Sequence, residues 1–274
     1  MFKIKSGPQH LHGTKMYFDE ENRQRLAEFG LEESCDWLKL RPGNQVSNSA
    51  RVNAYKVYLD DNTAVYFKSY NFEGQAMDYF MRPSKCAVEV NSYQILKEIG
   101  IPTITPIAFG EDRAAGALKS CFIVTDSIEN TVSLEDFAFD TWYQMNTDEK
   151  KRAFEDIFSQ TVKYIRMAHD ADFFHYDLKW RNILVKQEEG HYTTIWIDCP
   201  RGRKSKMRSA RGRMVDLSSL ARLALSYLSK SQRYRFLKEY FGKNGSRECI
   251  RTMWKKVDDH LSRRPPEPVK FPTT

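Results

Sequence analysis

At 274 residues, 41% of them hydrophobic, the chain is long enough for one large domain or two lobes around a sizeable core. It has no apolar run near the roughly 18 residues of a membrane span, no signal-like apolar core at Met1–Pro8, and five scattered cysteines outside any C-x-x-C spacing, which exclude a disulfide framework or zinc site and suit a reduced, cytoplasmic location. Basic residues outnumber acidic ones by 43 to 36, and seven of the 43 fall between Arg201 and Arg213 with no acid among them, so the whole excess sits in one segment.

Glu20 to Phe29 reads as a helix stopped by Gly30, and a second short helix is expected over Glu32 to Lys39. Residues 1–40 thus form a helical N-terminal extension. Residues 41–50 are rich in turn formers and precede a strand, where a loop over nucleotide phosphates can stand. With only Gly43 in it, an ordinary connector is an equal reading. Arg51 to Leu59 and Ala64 to Tyr70 read as a hairpin around Asp60-Asp61-Asn62. Lys68 lies in the second of these strands, where a lone Lys is by default a solvated edge residue. The next helix runs to about Ile99, with Val88, Tyr93, Ile95, Leu96 and Ile99 at helical spacing, carries Glu89, and ends at Gly100.

Ile104 to Phe109 and Cys121 to Thr125 read as strands, the second leading into a hinge at Asp126-Ser127-Ile128. Ser133 can cap a short helix and Thr147 a long one. The apolar stripe of the long helix is Phe154, Ile157, Phe158, Val162, Ile165 and Ala168, and it ends at His169.

The chemistry is concentrated just beyond. His175-Tyr176-Asp177-Leu178-Lys179-Trp180-Arg181-Asn182 places an Asp that can take a hydroxyl proton, a Lys two residues on and an Asn five residues on. In-line phosphoryl transfer asks for little covalent help but for positioning and neutralised phosphate charge, which these residue types supply. The stretch is one substitution from H-R-D-L-x-x-x-N. Ile195-Trp196-Ile197 is strand-like and ends in Asp198, a second Asp, sixteen residues past Asn182, that can share a metal with it. His175 reads as an orienting residue. The bland alternative is a polar loop between a helix and a strand.

The basic segment follows Asp198 at once. Asp216 then stands at the start of a Leu- and Ala-rich helix opening at Met214, either as its cap or as a support for the catalytic loop. Two more helices are expected near Gln232 to Phe241 and Arg247 to Leu261, and the Pro-rich tail from Pro265 reads as extended.

This order of residues, from about 50 to 230, resembles the protein-kinase-like fold: a bilobal α+β architecture with a small antiparallel-sheet N-lobe (41–126), one main helix in it, and a mostly helical C-lobe (127–264). Within that fold the chain looks most like the bacterial lipopolysaccharide kinases, the Kdo and heptose kinase family with its InaA-like members. The similarity rests on Glu89 to Thr103 with its Gly-Ile-Pro-Thr end, on Ile197-Asp198-Cys199-Pro200-Arg201 in place of D-F-G, and on only 18 residues from Asp198 to Asp216.

The resemblance implies ATP and Mg²⁺ as cofactors. Asp177 would be the base and Lys179 would stabilise the transferred group. Asn182 and Asp198 would hold the metal, and Lys68, oriented by Glu89, the ATP phosphates. It implies a lipopolysaccharide core sugar as acceptor, at the cytoplasmic face of the inner membrane. Departures are the glycine-poor loop at 41–50 and Tyr176 in place of the usual Arg.

Arg201, Arg203 and Lys204 suit an anionic sugar acceptor or peripheral contact with an anionic membrane. A solvated loop is the bland alternative. Nucleic acid is disfavoured because no aromatics interleave the charges. A protein Ser/Thr kinase or small-molecule phosphotransferase of the same fold shares the catalytic set, while a nucleotide-binding pseudokinase would not need all of Lys68, Asp177, Asn182 and Asp198.

Overall fold

A computed structural model describes residues 2–32, 35–59 and 63–263. Two compact units emerge from it: the chain up to Gln94 together with Ile104–Glu129, and Ile95–Thr103 together with the chain from Asn130.

The first unit is built on a six-stranded antiparallel sheet. Its strands are β1 (Gly13–Phe18), β2 (Asn44–Asn48), β3 (Val52–Tyr58), β4 (Ala64–Asn71), β5 (Pro106–Ala114) and β6 (Ala117–Asp126), in the order β1-β5-β6-β4-β3-β2. Alternation along β4 explains its two faces: Val65 and Phe67 are buried on one side, while Tyr66 and Lys68 stand on the other. Phe67 and Phe122 then join Leu26, Leu31, Trp37, Tyr55 and Val57 in one apolar core.

That core corrects the expectation for residues 1–40. Instead of a helical extension, β1 closes the sheet edge by pairing with β5, and Leu26, Leu31 and Trp37 cover a sheet face. A helix, α1, occupies only Arg23–Glu28, after a 3₁₀ turn at Glu20–Asn22. Trp37–Lys39 is a turn and not a helix. There the Asp36 side chain accepts from the Leu38 N–H, and Arg41 precedes Pro42, which disfavours helical backbone.

Residues 41–50 are likewise more regular than expected, since β2 forms a hairpin with β3 through a turn closed by Ser49 and Val52. The expected turn at Asp60-Asp61-Asn62 and the extended tail from Pro265 lie outside the described residues.

Helix α2 spans Lys85–Glu98. Ser84 Oγ accepts from Ala87 N at its start, and Gly100, at φ 78°, ends it while Ile101 N–H returns to Leu96 O. Cys86 on α2 and Cys121 on β6 are buried free thiols with sulfurs 2.9 Å apart, and burial pushes the Cys86 thiol well up.

The second unit gathers helices around a small sheet. A helical stretch over residues 134–144 follows β7 (Thr131–Ser133), with Ser133 as its cap. The long helix α3 covers Thr147–Asp170. Its cap is Asn146 and not Thr147: the Asn146 side chain accepts from Asp148 and Glu149 N–H, while Glu149 accepts from Asn146 N–H, a reciprocal box. The buried face of α3 includes Ile157, Phe158, Val162, Ile165 and His169. Beyond it come β8 (Phe173–Phe174), β9 (Ile183–Glu188), β10 (His191–Trp196) and β11 (Arg203–Lys204), then α4 (Ser209–Tyr227), α5 (Lys230–Phe241) and α6 (Arg247–Leu261). The sheets are β10-β9-β7 and β11-β8.

Helix α4 opens five residues before Met214, so Asp216 lies inside it. Gly212 costs helix stability by about 1 kcal/mol relative to Ala, yet a Cβ there would overlap the Phe174 ring. Close packing on β8 needs the glycine.

Candidate functional site

In the first unit, Lys68 Nζ lies 3.7 Å from Glu89 Oε2, with Glu89 buried and Lys68 partly open. The strand supplies the Lys and the first half of α2 the Glu. The second Glu89 oxygen accepts the Tyr93 hydroxyl at 2.6 Å, one helical turn on. A glutamate fixed in this way limits where the ammonium can point.

In the second unit, a group of short contacts shapes the segment from His175 to Asn182. Asp216 Oδ2 accepts His175 N–H at 2.9 Å and Asp216 Oδ1 accepts Tyr176 N–H at 2.7 Å. Tyr176 has φ 62°, a left-handed backbone that an L residue adopts at a cost, and the buried carboxylate holds it there. Asp216 is thus bonded to loop backbone and does not cap its own helix. His169 carries the network outward: Arg213 donates to Tyr240 Oη at 2.8 Å, and Tyr240 lies 2.8 Å from His169 Nδ1. Burial pushes the Tyr240 phenol up, against the pull of Arg213. The other His169 ring nitrogen, Nε2, lies 3.3 Å from Asp216 Oδ2. His175 is fully buried, with its Nε2 at 3.1 Å from Ile197 O and its ring edge-on to Trp196.

Asp177 and Lys179 form an ion pair at 3.0 Å, both partly open to solvent. Asn182 donates from Nδ2 to Asp177 O at 2.8 Å, and Asn182 O accepts Ile197 N–H at 3.0 Å. The residue before Asp198 is therefore tied to Asn182. Trp196 N–H bonds Pro102 O at 2.9 Å and Thr103 Oγ1 donates to Trp196 O at 2.6 Å, so the Gly-Ile-Pro-Thr segment anchors the same strand end. Asp198 itself has φ 59°. Asp177, Lys179, Asn182, His175 and Asp216 thus form one bonded group, with Asp198 one residue from it.

Arg201, Arg203 and Lys204 are exposed. Two of them lie beside this loop: Arg203 pairs with Phe174 and Lys204 with Phe173 across β11 and β8, and the Arg203 guanidinium lies 5.7 Å from the Tyr176 ring centre. Arg213, by contrast, is turned inward to Tyr240 and the His169 carbonyl. The basic run divides into one inward support and an exposed remainder.

Two features of the loop carry almost no signal in the sequence. Trp180 is buried and donates from Nε1 to Leu220 O at 2.9 Å, fixing the loop to α4. The same indole lines an apolar cavity of about 220 Å³ with Leu134, Phe137, Phe158, Leu220 and Trp254. A Trp between Lys179 and Arg181 was the only sequence signal for it.

These arrangements are those of a protein-kinase-like fold. The chain superposes on a solved structure titled "WaaP in complex with acyl carrier protein" with a TM-score of 0.67, covering 90% of this chain and 99% of that one at 19% identity, a likeness of fold. Residues 45–240 match the model of the lipopolysaccharide kinase (Kdo/WaaP) family, and the chain belongs to that family. Among curated proteins it is 29% identical over 161 residues to the "lipopolysaccharide core heptose(I) kinase WaaP" of Pseudomonas aeruginosa, covering 57% of this chain and 59% of the relative. It is 27% identical over 160 residues to the Escherichia coli protein of the same name, covering 56% of this chain and 58% of that one. The matched stretch thus spans less than two thirds of each relative's length.

Proposed function

We propose that this chain is an ATP-dependent kinase that phosphorylates a heptose hydroxyl of the lipopolysaccharide core at the cytoplasmic face of the inner membrane. The observation that carries the reading is the loop from His175 to Asn182, whose backbone is fixed by Asp216 while Asp177 and Lys179 stay open to solvent. Family membership supports a lipopolysaccharide acceptor, and the two relatives' names favour heptose over Kdo.

In this reading Asp177 accepts the proton of the acceptor hydroxyl and aims its oxygen in line with the phosphorus. Lys179, already 3.0 Å from that carboxylate, offsets charge on the transferred group. Lys68 holds the ATP phosphates, and Glu89, held by Tyr93, keeps the ammonium oriented.

Asn182 and Asp198 fit a magnesium ion. Asn182 uses its Nδ2 on Asp177 O, so its side-chain oxygen is the atom that would serve as a hard donor, with the Asp198 carboxylate as the second. Magnesium commonly takes one or two protein oxygens and completes its shell with phosphate and water. When bound, the ion neutralises phosphate charge. Arg201, Arg203 and Lys204 receive anionic groups on the acceptor. Incubation with labelled ATP, Mg²⁺ and a panel of core oligosaccharides, proteins and free sugars tests the assignment: label should enter the heptose-bearing core, and label in protein alone would favour a protein kinase.

A second reading concerns the cavity beside Trp180. Because the solved WaaP structure holds an acyl carrier protein, we infer that this cavity takes the acyl chain of such a partner. Its occupant would brace the indole that fixes the catalytic loop. A melting shift with acylated but not with unacylated carrier is the expected result.

A further inference from the structure

The exposed part of the basic segment contains one residue that neither phosphoryl transfer nor acceptor binding explains. Met207 is 99% exposed, at the tip of a 3₁₀ turn over Lys206–Arg208. Among the described residues it is the most exposed large hydrophobic side chain. Lys206 and Arg208 flank it, and Arg203, Lys204 and Arg211 are exposed close by in sequence. No acid occurs from Cys199 to Val215. Asp170, which lies beside this segment, is engaged by Arg213 at 3.6 Å.

The turn is firmly held. On one side β11 pairs with β8, and Ser205 N–H bonds Asp172 O at 2.9 Å. On the other, Gly212 packs on Phe174. Tethering at both ends presents the tip as a fixed projection that follows β11, the strand paired with β8, and β8 leads into His175 and Asp177.

We propose that Lys206-Met207-Arg208, with Arg211, is a docking tip for an anionic lipid bilayer. Met207 enters the headgroup layer and the cations bind lipid phosphates. The pairing of an apolar tip with a cationic collar separates this surface from a site for soluble anions, which would gain nothing from an unbranched thioether held in water. Each basic residue near an anionic leaflet adds about 1 kcal/mol, close to fivefold in partitioning. For a lipid-borne acceptor, docking here sets Asp177 at the membrane surface. The inference goes beyond the proposed reaction, and because lipid binding is read without turnover, failure of one does not masquerade as failure of the other.

The test is co-sedimentation of the full chain with vesicles of phosphatidylethanolamine and phosphatidylglycerol, against vesicles of phosphatidylcholine. The anionic vesicles should bind the protein, and less so as salt rises. Met207→Asp should weaken binding about tenfold, from lost apolar burial and added charge, and Met207→Leu should retain it. Lys206→Gln and Arg208→Gln should each cost about fivefold. All of these side chains are exposed, so melting temperatures should not move. Equal binding to both vesicle types, or binding indifferent to Met207→Asp, would overturn the proposal.

Discussion

The Asp216 carboxylate accepts the Tyr176 N–H at 2.7 Å across 40 residues of chain, and Tyr176 holds φ 62°. A left-handed tyrosine next to Asp177 is a conformation that the carboxylate maintains, because the same group also takes the His175 N–H. Asp216→Ala leaves two backbone donors without their acceptor and removes one of the two partners of the His169 ring. We expect a stability loss of about 2–6 kcal/mol, at about 1–3 per unsatisfied buried donor. Turnover should fall further than nucleotide affinity. Denaturant melts paired with ATP titrations check this, and a variant with normal turnover would remove Asp216 from its supporting role.

The Lys68–Glu89 pair predicts a different pattern. Lys68→Met should raise the KM for ATP, because the phosphates lose their cation, while Glu89→Gln should do the same more mildly. The amide can still accept from Tyr93 but no longer attracts the ammonium. Titration of both variants with ATP, each read against its melting curve, separates lost binding from lost folding.

Much of this pattern was open to reading because it is local. Spacing alone puts Asp177, Lys179 and Asn182 in one loop, and alternation in β4 puts Lys68 on the face opposite Phe67. What stayed hidden depends on distant partners. β1 has no clean alternation and becomes a strand by pairing with β5, about 90 residues later. β2 is Asn-Gln-Val-Ser-Asn, exposed throughout, and its composition resembles a loop. Gly212 looks unfit for a helix interior until the Phe174 ring is seen against it. The choice of Asn146 over Thr147 as cap rests on an extended ψ of 173° that composition does not reveal.

Removal of the second carboxylate should uncouple magnesium from nucleotide. In the wild type, ATP with Mg²⁺ should raise the melting temperature more than ATP with a chelator. Asp198→Ala should abolish that difference, since triphosphate charge then lacks its bridging cation. An undiminished magnesium effect in the folded variant would place the ion on other groups.

The exposed cations that follow Asp198 should govern the acceptor. Neutralising Arg201, Arg203 and Lys204 together should raise the acceptor KM and leave that for ATP largely unchanged. Exposed charge contacts are screened within about 8 Å at physiological ionic strength. The wild-type acceptor KM should therefore climb with salt, and the neutralised variant should show a flatter climb. Identical slopes would make these residues a solvated surface only.

The central claim is that Asp177 directs phosphate from ATP onto a heptose hydroxyl. Its most direct measurement is mass spectrometry and phosphorus NMR of a dephosphorylated core oligosaccharide after incubation with the protein, ATP and Mg²⁺. One new phosphate ester on heptose is expected, and Asp177→Asn should form it about 10²–10⁴-fold more slowly while binding ATP as the wild type does. Ester formation by Asp177→Asn at the wild-type rate, or phosphate found only on Kdo or on protein, would contradict it.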